Sequence, residues 1–255
     1  MTSRLMLKVA AIVMAVTFGL SEFVFAMPAG WSVQDGEATF EIDSDGALNI
    51  TASDKAIIEF QSFSIGEDEA VRFLQSSSED SVLARVTGGL ESLIYGDLFA
   101  TGNLILVNTS GIHVFDTANI QAQSFLASTL DIENAMYREG QYVFEQTGDI
   151  AGFINNEGSI TVQPGGFAAL LAGGVSNSGE IIADKGEVII ASGEKMTLTF
   201  GNTGINLIVD ESMQNRVNEA PIFSNTGLIQ SNDGRINISA SLLNQTLDTL
   251  INNEG

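Results

Sequence analysis

His113 is the single histidine of a 255-residue chain that has no cysteine. A histidine-based catalytic triad or a His- or Cys-rich metal centre therefore lacks its other members. His113 alternates with Ile112 and Val114, the pattern of an outward-facing residue on a strand. Carboxylates are the remaining source of chemistry, and sugar cleavage needs two of them held on one face at a fixed gap. Glu67, Asp68 and Glu69 are clustered but directly follow Gly66, as a solvated turn would. Asp43-Ser44-Asp45-Gly46 opens like a calcium loop, yet the bidentate Glu at its twelfth position is missing, with Lys55 and Ala56 lying near there. It reads as a turn. No catalytic residue, cofactor or metal is expected, and the chain reads as a non-enzyme.

What recurs is a corner. Asn156-Glu157-Gly158-Ser159-Ile160, Asn177-Ser178-Gly179-Glu180-Ile181 and Asn225-Thr226-Gly227-Leu228-Ile229 share the pattern Asn-x-Gly-x-Ile. A second glycine follows seven residues later in each, at Gly165, Gly186 and Gly234, and each is followed by an apolar run. Two short strands flank each glycine-containing turn, with Asn156, Gly158, Asn177, Gly179, Asn225 and Gly227 shaping corners whose backbone conformations bulky residues resist. Such a unit has no core of its own, so copies must stack into a solenoid with a continuous interior. The 21 residues from Gly158 to Gly179 fit one turn of a parallel β-helix, and the 48 from Gly179 to Gly227 fit about two turns plus a polar segment. About ten turns would give a rod on the order of 50 Å long. Inside it, corner asparagines would hydrogen-bond along the axis. An antiparallel sandwich, the competing all-β reading, does not predict the glycine interval.

The N-terminus fixes the compartment. Arg4 and Lys8 lie beside and before an apolar run, Val9 to Leu20, too short to span a membrane and followed by Val24-Phe25-Ala26. The reading is a signal peptide cut after Ala26, leaving no membrane span in the mature chain. Two cations and one carboxylate leave with it, making a net charge already at −22 one unit more negative. Nucleic acid and anionic lipid are repelled by such a field. Without disulfides, stability rests on burial and backbone hydrogen bonds.

Thr39-Phe40-Glu41-Ile42 and Ala47-Leu48-Asn49-Ile50-Thr51 alternate about Asp45-Gly46, a hairpin signal. Hairpins at this end would cap the bare edge of a solenoid. The organisation expected is thus a signal peptide at 1–26, an N-terminal antiparallel β cap with the first rungs at 27–75, and a right-handed parallel β-helix at 76–255. Leu250-Ile251-Asn252-Asn253-Glu254-Gly255 repeats the entry to the rung at Phe153-Ile154-Asn155-Asn156-Glu157-Gly158, so further rungs are expected to follow.

Along most of the mature chain run blocks in a fixed order: Phe60-Gln61-Ser62-Phe63-Ser64-Ile65-Gly66, Leu83-Ala84-Arg85-Val86-Thr87-Gly88-Gly89, Ser92-Leu93-Ile94-Tyr95-Gly96, and Thr101-Gly102-Asn103-Leu104-Ile105-Leu106-Val107. The last leads into Asn108-Thr109-Ser110-Gly111-Ile112, and Phe125-Leu126-Ala127-Ser128-Thr129-Leu130-Asp131-Ile132 follows. In these the chain resembles the secretion domain of two-partner secretion exoproteins, typified by filamentous haemagglutinin. It differs at Thr109 and Ser110, where the family pattern has Pro and Asn, and at Ala84, where it has Asn. The resemblance implies a capped β-helix, export through the periplasm, and handover to an outer-membrane pore with periplasmic docking domains. It also implies a secreted or surface-exposed adhesin with a host-cell or bacterial-surface ligand. Asn108, Thr109, Ser110, Gly111 and Ile112 become the candidate secretion motif, its exposed amide offered to the pore. A carbohydrate-active β-helix enzyme and a haemolysin-type toxin on the same route are the alternatives.

Overall fold

The computed structural model describes residues 27–148, 152–201, 204–213, 222–241 and 251–253; the leader expected at 1–26 lies outside them. Three sheets wind about one axis, and each turn of the chain adds one strand to each. Face one holds Leu48–Ala52, Ala70–Leu74, Asp97–Ala100, Asn119–Ala122, Ser159–Val162, Glu180–Ile182 and Leu228–Gln230. Face two holds Ala56–Phe60, Ser81–Val86, Asn103–Asn108, Ser124–Ser128, Phe167–Ala172, Glu187–Ser192 and Arg235–Ala240. Face three is built from Ser92–Ile94, Ile112–Val114, Phe153–Asn156, Gly174–Asn177, Phe223–Asn225 and Ile251–Asn253. All these neighbours pair in parallel, so the solenoid is a parallel β-helix and not a sandwich.

Each eight-stranded sheet is seven parallel strands plus one antiparallel cap strand. Ala38–Ile42 pairs with Leu48–Ala52, and Ser32–Asp35 with Ala56–Phe60, which closes the first rung's open edge. Seven rungs at about 4.8 Å make a stack roughly 30 Å tall, shorter than the ten turns expected. The reason is that two described segments, 129–148 and 193–213 apart from 202–203, leave the coil. The 48-residue interval is accordingly one rung carrying an excursion, since Ile181 pairs directly with Ile229. No structural break falls at 75/76, which lies within the second rung between Leu74 and Ser81.

The interior is made of ladders. Leu48, Val71, Leu98, Ile120, Ile160, Ile181 and Ile229 stack in register on face one, each of the first six buried to 1 % exposure or less. A fully buried side chain of this kind is worth about 1.5–3 kcal/mol.

Face two is buried on both sides. Its inward residues join the central core, while Ile57, Leu83, Ile105, Leu126, Ala169 and Ile189 point outward into a second core. The excursions cover it: Asp131–Ile132, Tyr142–Glu145, Lys195–Gly201 and Gly204–Glu211 form an antiparallel sheet beside the short helix Asn134–Arg138. Arg85 fastens this cover. Its guanidinium is 2.8 Å from Asp131, 2.6 Å from Asn134 Oδ1 and hydrogen-bonded to the Ile132 backbone carbonyl.

Candidate functional site

Asn108 ends its strand on face two, and the chain turns through Thr109, Ser110 and Gly111 into Ile112 on face three. The amide expected to face a partner is instead 1 % exposed. Its Nδ2 donates to the Leu90 carbonyl and to Ser92 Oγ in the rung beneath, both at 2.9 Å. Its Oδ1 accepts the Ser110 N–H at 3.0 Å, and the Gly111 N–H closes the turn on the Asn108 carbonyl at 3.1 Å. Gly111 has φ +129°, a conformation side chains resist. Asn108 is thus a clamp between rungs. Exposed at this corner are Ser110, half-exposed Thr109 and, in the rung below, Leu90 at 69 %. Both excursions leave from the same edge, directly after Ser128 and Ser192.

The Asn-x-Gly corners lie at the opposite edge of face three. Asn156 Nδ2 donates to Asn177 Oδ1 at 2.7 Å, and Asn177 Nδ2 to Asn225 Oδ1 at 2.6 Å. In the same column the preceding rungs carry Ile94 and Val114, and the buried Asn156 Oδ1 has no hydrogen-bond partner. Gly158, Gly179 and Gly227 are required for close approach and not for a left-handed backbone. A Cβ on Gly179 would fall far inside contact with the Gly158 carbonyl, and one on Gly227 with that of Gly179.

The seven-residue glycine interval does not mark equivalent positions. The stacked glycines are Gly166, Gly186 and Gly234, because the rung that begins at Ser159 holds one residue more before its turn. Gly165 instead shares the left-handed position with Lys185 and Asp233 (φ +86°, +55° and +56°).

The remaining candidates are structural. His113 lies half-buried on the outside of face three, its Nε2 3.2 Å from Glu157 Oε1 and its ring stacked on Phe115, which stacks on Tyr95. Burial, with the charge of Glu157, pushes the Tyr95 phenol up. Glu69 folds back to accept the Gly66 N–H at 2.7 Å, leaving Glu67 and Asp68 in solvent. Asp43 accepts from Asn49 Nδ2, the Ala47 and Asp45 N–H groups and Arg72. The Asn49 and Ala47 hydrogen bonds lead in holding its carboxyl down at about 2. Among the described residues no group of three His, Cys, Asp or Glu is placed to hold a metal, and no helix is long and apolar enough to cross a membrane.

A three-faced parallel coil with an antiparallel cap and an external sheet over one face defines a capped β-helix domain. The TPS secretion domain model matches residues 30–255, and the chain belongs to that family, the N-terminal domains of two-partner secretion exoproteins. The crystal structure of the HMW1 secretion domain from Haemophilus influenzae superposes with a TM-score of 0.73 at 34 % identity, covering 83 % of this chain and 55 % of that one. Two heme/hemopexin-binding proteins of H. influenzae are similar in sequence. One, from strain ATCC 51907 / DSM 11121 / KW20 / Rd, is 29 % identical over 94 % of this chain and 27 % of its own length. The other is 32 % identical over 86 % of this chain and 25 % of its length. The chain therefore spans about a quarter of these relatives. Membership makes this a secretion domain with an outer-membrane partner, exported to the cell surface or beyond.

Proposed function

We propose that this domain hands a longer adhesin-type exoprotein to the periplasmic docking domains of its outer-membrane pore, and that the pore reads the surface of the Asn108–Ile112 corner. The family match over residues 30–255 carries the export reading. The corner's geometry supports the finer one: a buried amide fixes the turn's shape, while Ser110 and the strongly exposed Leu90 lie together on its rim. In this reading the domain is not catalytic, and ligand recognition of the kind named in the heme/hemopexin-binding relatives belongs to the passenger. The absence of cysteine suits a chain that stays unfolded until it is exported.

Co-expression with the cognate pore, assaying protein in the medium, tests both levels. Leu90→Lys and Ser110→Lys should lower secretion at least several-fold with an unchanged circular dichroism spectrum. Asn108→Leu should lower folding and secretion together. Secretion of both rim variants at the level of the unmodified chain would refute the corner as the recognised surface. Full secretion without any pore would refute the export route.

A further inference from the structure

The cover over face two is incomplete. At the edge of the external sheet a cleft of about 280 Å³ opens, floored by Ile105 and Leu126 and walled by Tyr142, Phe167 and Phe200. That is near the lower end of the few hundred cubic ångströms usual for small-molecule sites. The aromatic wall is continuous, with Phe200 5.2 Å from Phe167 and 4.9 Å from Tyr142 between ring centroids.

Lys55 supplies the polar end. Its Nζ donates to Tyr142 Oη at 2.9 Å and to the Tyr137 carbonyl at 3.3 Å, and lies 5.1 Å from the Tyr142 ring centroid and 4.7 Å from that of Tyr137. An ammonium has three donors, so one N–H is left. Arg72, Arg85, Arg138, Lys195 and Arg235 each have a carboxylate within 4.0 Å. Among the described residues Lys55 has none, and unlike the exposed Lys185 it is half-buried. A half-buried ammonium with a spare N–H, no carboxylate within 4.0 Å and an aromatic wall beside it favours an anion carrying an apolar body. The rim decides how much charge. Glu79 lines the mouth and Asp54, also lining it, is engaged by the Ser81 N–H at 2.9 Å, so a second negative charge would be repelled.

We propose that this cleft binds a small amphipathic monocarboxylate, its aryl or alkyl body between the three aromatic rings and its carboxylate on Lys55. This ligand site is separate from the corner assigned to the pore.

The test is an NMR titration of the full chain with 3-phenylpropanoate, using 3-phenylpropan-1-ol as the uncharged analogue of the same shape. The acid should bind saturably, shifting the amides of Ile105, Leu126 and Tyr142, and the alcohol at least tenfold more weakly. Lys55→Met, which keeps the apolar stem, should weaken the acid tenfold or more and leave the alcohol unchanged, while Lys55→Arg restores acid binding. Phe200→Ser removes a half-exposed ring at the hairpin tip and should weaken both, which keeps the test open if position 55 proves needed for folding. Equal affinity for acid and alcohol, shifts confined to other surfaces, or no saturable binding at millimolar ligand would each overturn the proposal. So would binding only of peptides with a free C-terminal phenylalanine.

Discussion

Replacing Asn177 by valine should cost far more than the same change at Asn156, although both belong to one ladder. Asn177 is the middle amide, accepting from Asn156 at 2.7 Å and donating to Asn225 at 2.6 Å. Its loss strips a partner from each neighbour inside the coil, at about 1–3 kcal/mol per buried group. The added methyl contacts recover a part, so the net cost is about 3 kcal/mol. Asn156 differs because its Oδ1 already lacks a partner and the residue below it in the column is Val114. Valine there removes that orphan and extends the apolar column, which nearly offsets the acceptor left idle on Asn177, for a net cost of about 0–1 kcal/mol. In a chain of this size the two variants should melt roughly 4–12 °C apart. Urea unfolding followed by far-ultraviolet circular dichroism, with equal m-values as the check on a common transition, measures the difference. If Asn156→Val costs as much as Asn177→Val, or Asn177→Val stays within about 0.5 kcal/mol of the parent, the ladder is not what holds these corners together.

Arg85→Met should cost about 3 kcal/mol, at the low end for a broken buried pair because Asp131 is partly solvated. Limited proteolysis should then cut within 129–148 while the coil stays protected; uniform cleavage would show that Arg85 does not fasten the cover. At acid pH the group to watch is Asp43. Its folded pKa of about 2 lies below the ordinary 3.8, so the unfolded chain binds the proton first, and stability present above pH 4 is lost as pH falls toward 2. The melting-temperature gap between the parent and Asp43→Asn should shrink over that window, and a constant gap would contradict the assignment. At alkaline pH burial raises the Tyr137 phenol well above its ordinary 10.0. The unfolded chain therefore loses the proton first, and stability falls as pH rises past 10. Tyr137→Phe, which also gives up the hydrogen bond to Ser81, should flatten that fall, and an unchanged slope would assign it to other groups.

The coil was legible because its repeat is chemical as well as structural. Parallel pairing places identical positions one above another, so Asn-x-Gly-x-Ile recurs wherever a corner must stack its amide and bring two backbones together. The cap was legible for a different reason, since alternation about Asp45-Gly46 is a local signal that needs no partner. Rung number was not. Counting residues assumes that every residue winds, and neither excursion carries a mark separating it from a long turn. A trace was present all the same. Leu104-Ile105-Leu106-Val107 and Val188-Ile189-Ile190-Ala191 are unbroken apolar runs, whereas strands wetted on one side alternate, as His113 does between Ile112 and Val114. Unbroken runs call for cover on both faces of the sheet, and among the described residues it is the chain leaving the coil that supplies it.

Asn108 shows why a motif locates a site more securely than it assigns the working atoms. The types in Asn108-Thr109-Ser110-Gly111 specify a turn with a side-chain acceptor for the i+2 N–H and a glycine at positive φ, and that turn is present. Whether the amide's other edge faces water or protein depends on the rung beneath, eighteen residues back at Leu90, which no local pattern contains. With Nδ2 bonded to Leu90 and Ser92, the asparagine holds two rungs in register and cannot also donate to a partner. Recognition at this corner must then act through what the clamp displays, and the display includes Leu90, which lies outside every motif named from the sequence. A variant at Asn108 alone therefore conflates shape with contact, and only the rim residues separate them.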